Sequence, residues 1–254
     1  MKRPLEHRRT RIGTQAQGRR STAPEGRRSS SSNLLTGALL ALAAGCAHAA
    51  PPPSPARANC EGTEIAVVGA TAADFKDVCV GVLAARRFLM DKGLPGEPVL
   101  TLEVTAQLPE SVGPSAAGCF LQENKRAYVL TYAHFQKRRT WFGVPITREL
   151  YRSLATHETA HAIAACHFTA KDPSIQAKEY VAYVTMFATM PAPLRAKALK
   201  SLPGIGFSDI ERVSSFVYLF DPMQFGANAY RHFQGVHNPA AFLADVMSGK
   251  VLAE

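Results

Sequence analysis

No stretch of this 254-residue chain stays apolar for the roughly 20 residues that a membrane-spanning helix needs. The nearest approach is residues 34–44, mostly Leu and Ala, which have the length of a secretory signal core instead. Internal repeats are missing, which excludes solenoids and propellers. Cysteine is sparse, five in all, and no two stand as a C-x-x-C pair, so a cysteine zinc cluster is not expected. A basic domain surface is lacking as well. The formal charge of +9 is concentrated in residues 1–33, where nine Lys or Arg face two Glu for a net of +7, leaving +2 for everything after. Nucleic-acid binding has no electrostatic footing in such a domain, and no such partner is expected.

Residues 1–32, rich in Arg, Ser, Gly and Pro, hold too few apolar side chains to build a core. The apolar run follows, and Ala47-His48-Ala49 then offers small residues where a signal peptidase reads. Residues 1–49 are therefore expected to be a signal or targeting segment, and the mature protein to be exported, periplasmic or secreted. Ala43-Ala44-Gly45-Cys46 is a degenerate lipobox, so lipidation at Cys46 is the one expected route to a membrane. Residues 50–60 read as a Pro-rich linker and residues 61–254 as a single domain. Four cysteines lie beyond the cleavage point. An even number in an exported chain argues for two disulfides; of the three connectivities possible, Cys60 with Cys79 and Cys119 with Cys166 is favoured, and buried free thiols are the alternative.

The domain divides by periodicity into a β-containing part, 61–146, and a helical part, 147–254. Residues 63–68 read as a buried strand ended by Gly69, and 74–92 as a helix stopped by Gly93 and Pro95. In 98–106, Leu100, Leu102 and Val104 alternate with Thr101, Glu103 and Thr105, a strand with one wet face. Residues 109–118 are expected as a loop and 126–135 as a third strand, open to edge pairing with a peptide. Lys137-Arg138-Arg139 beside Trp141 reads as a solvated turn. Beyond 147 the signals are helical. Asp172-Pro173 should open a helix running to Met190, and 194–201 a short one. Ser208-Asp209-Ile210-Glu211 resembles a capping box, while Asp221-Pro222 and Asn238-Pro239 each place an N-cap before Pro. The fold class is α+β, a small sheet packed on one central helix and followed by a helical C-terminal part.

That central helix carries the chemistry. In His157-Glu158-Thr159-Ala160-His161, flanking residues 149–156 and 162–166 contain no Gly or Pro, so a helix of about five turns is expected. At about 100° per residue, His157 and His161 share one face a turn apart, and two imidazoles point at one metal. Glu158 falls beside the metal rather than on it, where a carboxylate can act as general base.

Catalytic zinc needs a third protein ligand. His167 completes a His-Glu-x-x-His-x-x-Ala-x-x-His run that resembles the metzincin pattern, except that Ala164 stands where a helix-breaking Gly belongs. If the helix continues, His167 lies about 9 Å along and turned away from His161. Glu179, on the next predicted helix, is the other candidate; a carboxylate among Val181, Ala182, Val184, Met186 and Phe187 wants a cation beside it.

With His157, Glu158, His161 and Glu179 the chain resembles the gluzincin metallopeptidases, and the elements before the motif are similar to their compact peptidase-MA-like group. The resemblance implies a zincin-like fold, Zn2+ held by His157, His161 and Glu179, Glu158 as general base, and a peptide or protein substrate. One departure stands out: Tyr183 occupies the place where thermolysin-like enzymes carry an Asp that orients a metal-bound His. Tyr230 and His232 are the candidate donors to an oxyanion. The alternative expectation is a zincin-fold zinc-binding protein of the cell envelope without turnover.

Overall fold

A computed structural model of the chain describes residues 56–96 and 98–253. The expected signal segment, the expected lipobox at Cys46 and most of the expected linker lie outside the described residues. Where the linker was expected to end, Arg57–Asn59 (β1) already pairs antiparallel with Ile65–Val68 (β2). Ala72–Asp91 (α1) follows, with the Thr71 hydroxyl accepting a hydrogen bond from the Asp74 N–H as its cap. Leu100–Thr105 (β3) keeps the alternation the sequence shows: Leu100, Leu102 and Val104 are buried and the residues between them half-exposed.

The loop expected over 109–118 is there as far as Ala117 and then leads into a strand that periodicity did not mark, Gly118–Leu121 (β4), because all four of its residues are half-buried and none alternates. The strand read over 126–135 ends early. Arg126–Leu130 (β5) stops where Thr131 turns the chain, its hydroxyl accepting from the His134 N–H to cap a short helix, Tyr132–Gln136 (α2). A small hairpin, Thr140–Trp141 (β6) with Val144–Pro145 (β7), closes the β-containing part. Ahead of it, Arg138 is not a solvated charge: its guanidinium donates to the carbonyls of Pro114, Ser115 and Ala116, pinning the loop that leads into β4.

The main sheet runs β1-β2-β3-β5-β4, with β2, β3 and β5 parallel and the outer strands β1 and β4 antiparallel to their neighbours. β5 is therefore internal, flanked by β3 and β4. The strand expected to offer a free edge does not, and β4 holds that position.

Arg148–Ala165 (α3) is the expected central helix, capped by Thr147. Ile175–Thr189 (α4) starts later than Asp172-Pro173 predicts, because the Ser174 hydroxyl accepts from the Ala177 N–H and is the cap. Ala192–Ser201 (α5) follows. The capping-box candidate at Ser208 closes only a 3-10 turn at Ile210–Arg212, with Asp209 as its cap, and a helix not read from sequence comes next, Ser215–Phe220 (α6). Asp221 and Asn238 cap Pro222–Gln234 (α7) and Pro239–Ser248 (α8) as expected. The described residues thus form an α+β fold with a mixed sheet.

α3 is buried on nearly every side because α1, α4, β4 and β5 all pack on it. Leu150 and Leu154 are buried in that packing, each worth roughly 1.5–3 kcal/mol relative to exposure. Gly81 lets α1 approach: a Cβ there would collide with the Arg152 carbonyl and lie 2.8 Å from the Ala155 Cβ. The Thr156 hydroxyl donates to the Gly81 carbonyl at 3.1 Å across the same contact. Ion pairs fix the register, Arg148 with Asp74 and Asp77 and Arg152 with Asp77, at 2.6–3.1 Å. The sliding and rotation of α3 are thereby set, and with them the direction of its histidines.

Cys60 and Cys79 are joined, tying the β1–β2 turn to α1. The second expected bridge is absent: Cys119 and Cys166 are both free thiols. Cys119 sits on β4 beside Gly118, which faces Glu158, whereas Cys166 is eight residues further along the chain, about 12 Å of helix. A disulfide spans Cα atoms no more than about 7 Å apart.

Candidate metal centre

The one-turn spacing of His157 and His161 on α3 brings their Nε2 atoms within 3.1 Å. α4 packs against α3 and delivers Glu179 to the same point: Oε2 stands 3.5 Å from His157 Nε2, and Oε1 stands 3.5 Å from His161 Nε2. All three side chains are largely buried. Among the described residues no other group of three His, Cys, Asp or Glu side chains gathers its ligand atoms in this way.

The three residues do not satisfy one another. Two imidazole nitrogens 3.1 Å apart can share one proton at most, and the buried Oε2 of Glu179 has no hydrogen-bond partner. A buried carboxylate oxygen without a hydrogen-bond partner and two converging imidazoles are what a cation would complete. Burial pulls His161 down to about 4, against the opposing pull of Glu179, so its imidazole is neutral with a lone pair to offer. Burial also pulls on His157, but the Glu179 and Glu158 carboxylates outweigh it and hold that imidazole above its ordinary value. Glu179 is pushed up by burial and drawn further down by His161, by His157 and by the Tyr218 hydroxyl.

Glu158 is placed beside the cluster and not in it. β4 crosses its carboxylate, with Gly118 the residue in contact. Burial drives its pKa up to about 8; His157 opposes the rise and Glu179 adds to it. A carboxyl that titrates near neutrality is suited to take up and return a proton. The same surroundings act on the Cys119 thiol, pushed up to about 12 by burial, then by Glu158 and Glu123.

Helix continuity puts Glu179, and not His167, with the two histidines. α3 runs unbroken through Ala164 to Ala165, and His167 falls beyond its cap, directed toward the loop at Gly96 rather than to the cluster. Tyr230 and His232 are also elsewhere. Tyr230 stacks on Phe187 with the Arg195 guanidinium over its ring, and His232 Nδ1 lies 2.6 Å from the Tyr180 hydroxyl. The phenol that does reach the cluster is Tyr218 on α6, raised by burial and by Glu179, against which its hydroxyl rests. Six residues between a Ser cap and Asp221-Pro222 are too few for a hydrophobic period, and the signal available was the cap itself. Tyr183 takes the other side of the site: its ring lies 4.4 Å from that of His157, whose buried Nδ1 has no hydrogen-bond partner.

Fold and site together define an α+β protein with a buried His-His-Glu cluster on two packed helices and a carboxylate beside it. The chain belongs to DUF6639, a family of unknown function, whose model matches residues 65–254. No curated protein and no solved structure matches it.

Proposed function

We propose that this is an exported zinc-dependent peptidase of the gluzincin type, with a zincin-like arrangement of sheet and helices. The observation that carries the reading is the convergence of His157 Nε2 and His161 Nε2, 3.1 Å apart, on the Glu179 carboxylate, whose Oε2 and Oε1 stand 3.5 Å from the one and the other. Zinc bound tetrahedrally at about 2.0–2.1 Å has ligand atoms about 3.3 Å apart, close to these separations, so the residues fit the ion. Two imidazoles and one carboxylate also match the donor set of catalytic zinc, which leaves a fourth position for water or substrate.

Zinc, when bound, supplies Lewis acidity that polarises a carbonyl and lowers the pKa of water toward neutrality. The protein's own residues do the rest. Glu158 accepts a proton at its carboxylate from the attacking water and returns it to the departing amine nitrogen. Its burial against Gly118 keeps bulk water from competing for that carboxylate. The Tyr218 hydroxyl, held protonated by its surroundings, turns from Glu179 to donate to the developing oxyanion. β4, as the outer strand beside Glu158, aligns a peptide by edge pairing. The Cys60–Cys79 disulfide is compatible with an oxidising compartment and supports export.

One observation favours a second reading, a zinc-binding protein of the cell envelope without turnover. A metal-bound His ordinarily donates its other ring N–H to a partner, and His157 Nδ1 has none. Purified protein, assayed for zinc content and against a broad peptide library, separates the two. The peptidase reading expects about one zinc per chain and cleavage that Glu158→Gln abolishes. Zinc binding with cleavage absent, or unchanged by Glu158→Gln, would overturn it in favour of the second.

A further inference from the structure

α6 has an outer face that its packing leaves uncovered. Phe216, Leu219 and Phe220 are 74%, 68% and 84% exposed. Their spacing of three and four residues puts them on one stripe, and the Phe216 and Phe220 rings stack with centroids 6.3 Å apart. Tyr218 is turned about 200° from Phe216 and faces inward. It packs on Phe225, ring centroids 5.5 Å apart, and α6 as a whole packs on α4, the helix that carries Glu179. One short helix therefore joins the wall of the metal centre to an apolar surface. Isolated exposed apolar residues need no explanation, but a contiguous stripe beside a reactive site marks a contact surface.

Charge selects the occupant. Residues 205–222 contain Asp209, Glu211 and Asp221 against Arg212, a net of −2. An anionic lipid surface would be repelled by that balance, whereas an apolar peptide segment with neutral or basic flanks is complementary to it. We infer that the outer stripe of α6 is an exosite that holds an apolar segment of a protein substrate while the metal centre acts elsewhere on the same chain. The inference rests on the peptidase reading. It also fixes a distance. A helix is about 10 Å across, and an extended residue spans at most about 3.6 Å, so the captured residues lie at least about three positions from the bond that is cut.

The test uses internally quenched peptides built on a core taken from the library experiment, with a Phe-Leu pair moved stepwise away from the cleaved bond on a Ser-Lys background. The full chain is compared with the Phe216→Ser/Leu219→Ser/Phe220→Ser variant, whose zinc content and melting temperature control for folding. A distant pair should raise kcat/KM about tenfold in the unmodified protein. The variant should lose that gain and cleave the pair-free peptide at the same rate. Equal rates for both proteins on every peptide would overturn the exosite and leave the peptidase standing. If no library peptide is cleaved, the peptidase reading fails, and binding of library peptides bearing the Phe-Leu pair decides whether the stripe holds an apolar segment: a roughly tenfold weaker dissociation constant in the variant retains that binding role, and no difference overturns it. Co-sedimentation with phosphatidylglycerol vesicles that the variant loses would assign the stripe to lipid and overturn the proposal.

Discussion

A Cβ placed on Gly118 would lie 2.6 Å from Oε1 of Glu158 and 2.7 Å from the Tyr128 carbonyl, so β4 passes this carboxylate at a distance that only glycine permits. The close approach holds Glu158 from the side opposite its own helix.

Gly118→Ala should therefore press β4 away from the Tyr128 carbonyl and push Glu158 aside, without touching the ligands. A displacement near 1 Å at a reacting group costs about 100-fold in rate. Zinc content by atomic absorption should stay at the unmodified level while kcat/KM falls by about that factor. Unchanged turnover would show that β4 yields and does not position the carboxylate.

The two candidate third ligands can be told apart by metal affinity. Glu179→Ala should weaken zinc binding by more than about 100-fold, since even removal of an outer partner of a ligand costs 10–100-fold. His167→Ala should change it by less than about twofold, as the residue lies outside the cluster. Competition with a chromophoric chelator measures both, and a larger loss in His167→Ala would overturn the assignment.

In protein stripped of metal, the raised pKa of Glu158 has a definite sign in stability. The folded state keeps this proton up to about pH 8, whereas the unfolded chain releases it near the ordinary carboxylate value. The stabilising contribution is full below about pH 4.5 and is lost as pH rises toward 8. Glu158→Gln, which cannot ionise, should gain stability relative to the unmodified protein over that window. Urea melts at several pH values read the difference, and a gap that is flat with pH would contradict it.

The two free thiols should react very differently. Cys166 is exposed, while Cys119 is half-buried with its pKa pushed up to about 12. At pH 8 under native conditions, iodoacetamide should label Cys166 and leave Cys119 at least about 100-fold slower, because the thiolate is the nucleophile. Peptide mass mapping should also find Cys60 linked to Cys79. Rapid labelling at Cys119, or a Cys119–Cys166 link, would sink this account of β4.

The cluster was legible because its chemistry is local. Four residues of helix put His157 and His161 on one face, and an unbroken helix-forming run through Ala164 turned His167 away, both consequences of backbone geometry that neighbours in sequence settle. The caps at Asp221 and Asn238 and the alternation in β3 were legible for the same reason. β4 was not, since a half-buried outer strand leaves no period, and α6 was not, since one and a half turns show none.

By itself, then, the sequence determined the helix, the pair of histidines and the carboxylate between them, because each depends on spacing along a single element. Only the tertiary structure decided what surrounds them: that Gly118 rather than a side chain meets Glu158, that Tyr183 covers His157, that Tyr218 and not Tyr230 or His232 reaches Glu179, and that Cys119 and Cys166 stand apart. Those are relations between elements distant in the chain, and they follow from how α3, α4, α6 and β4 pack, which no local periodicity encodes.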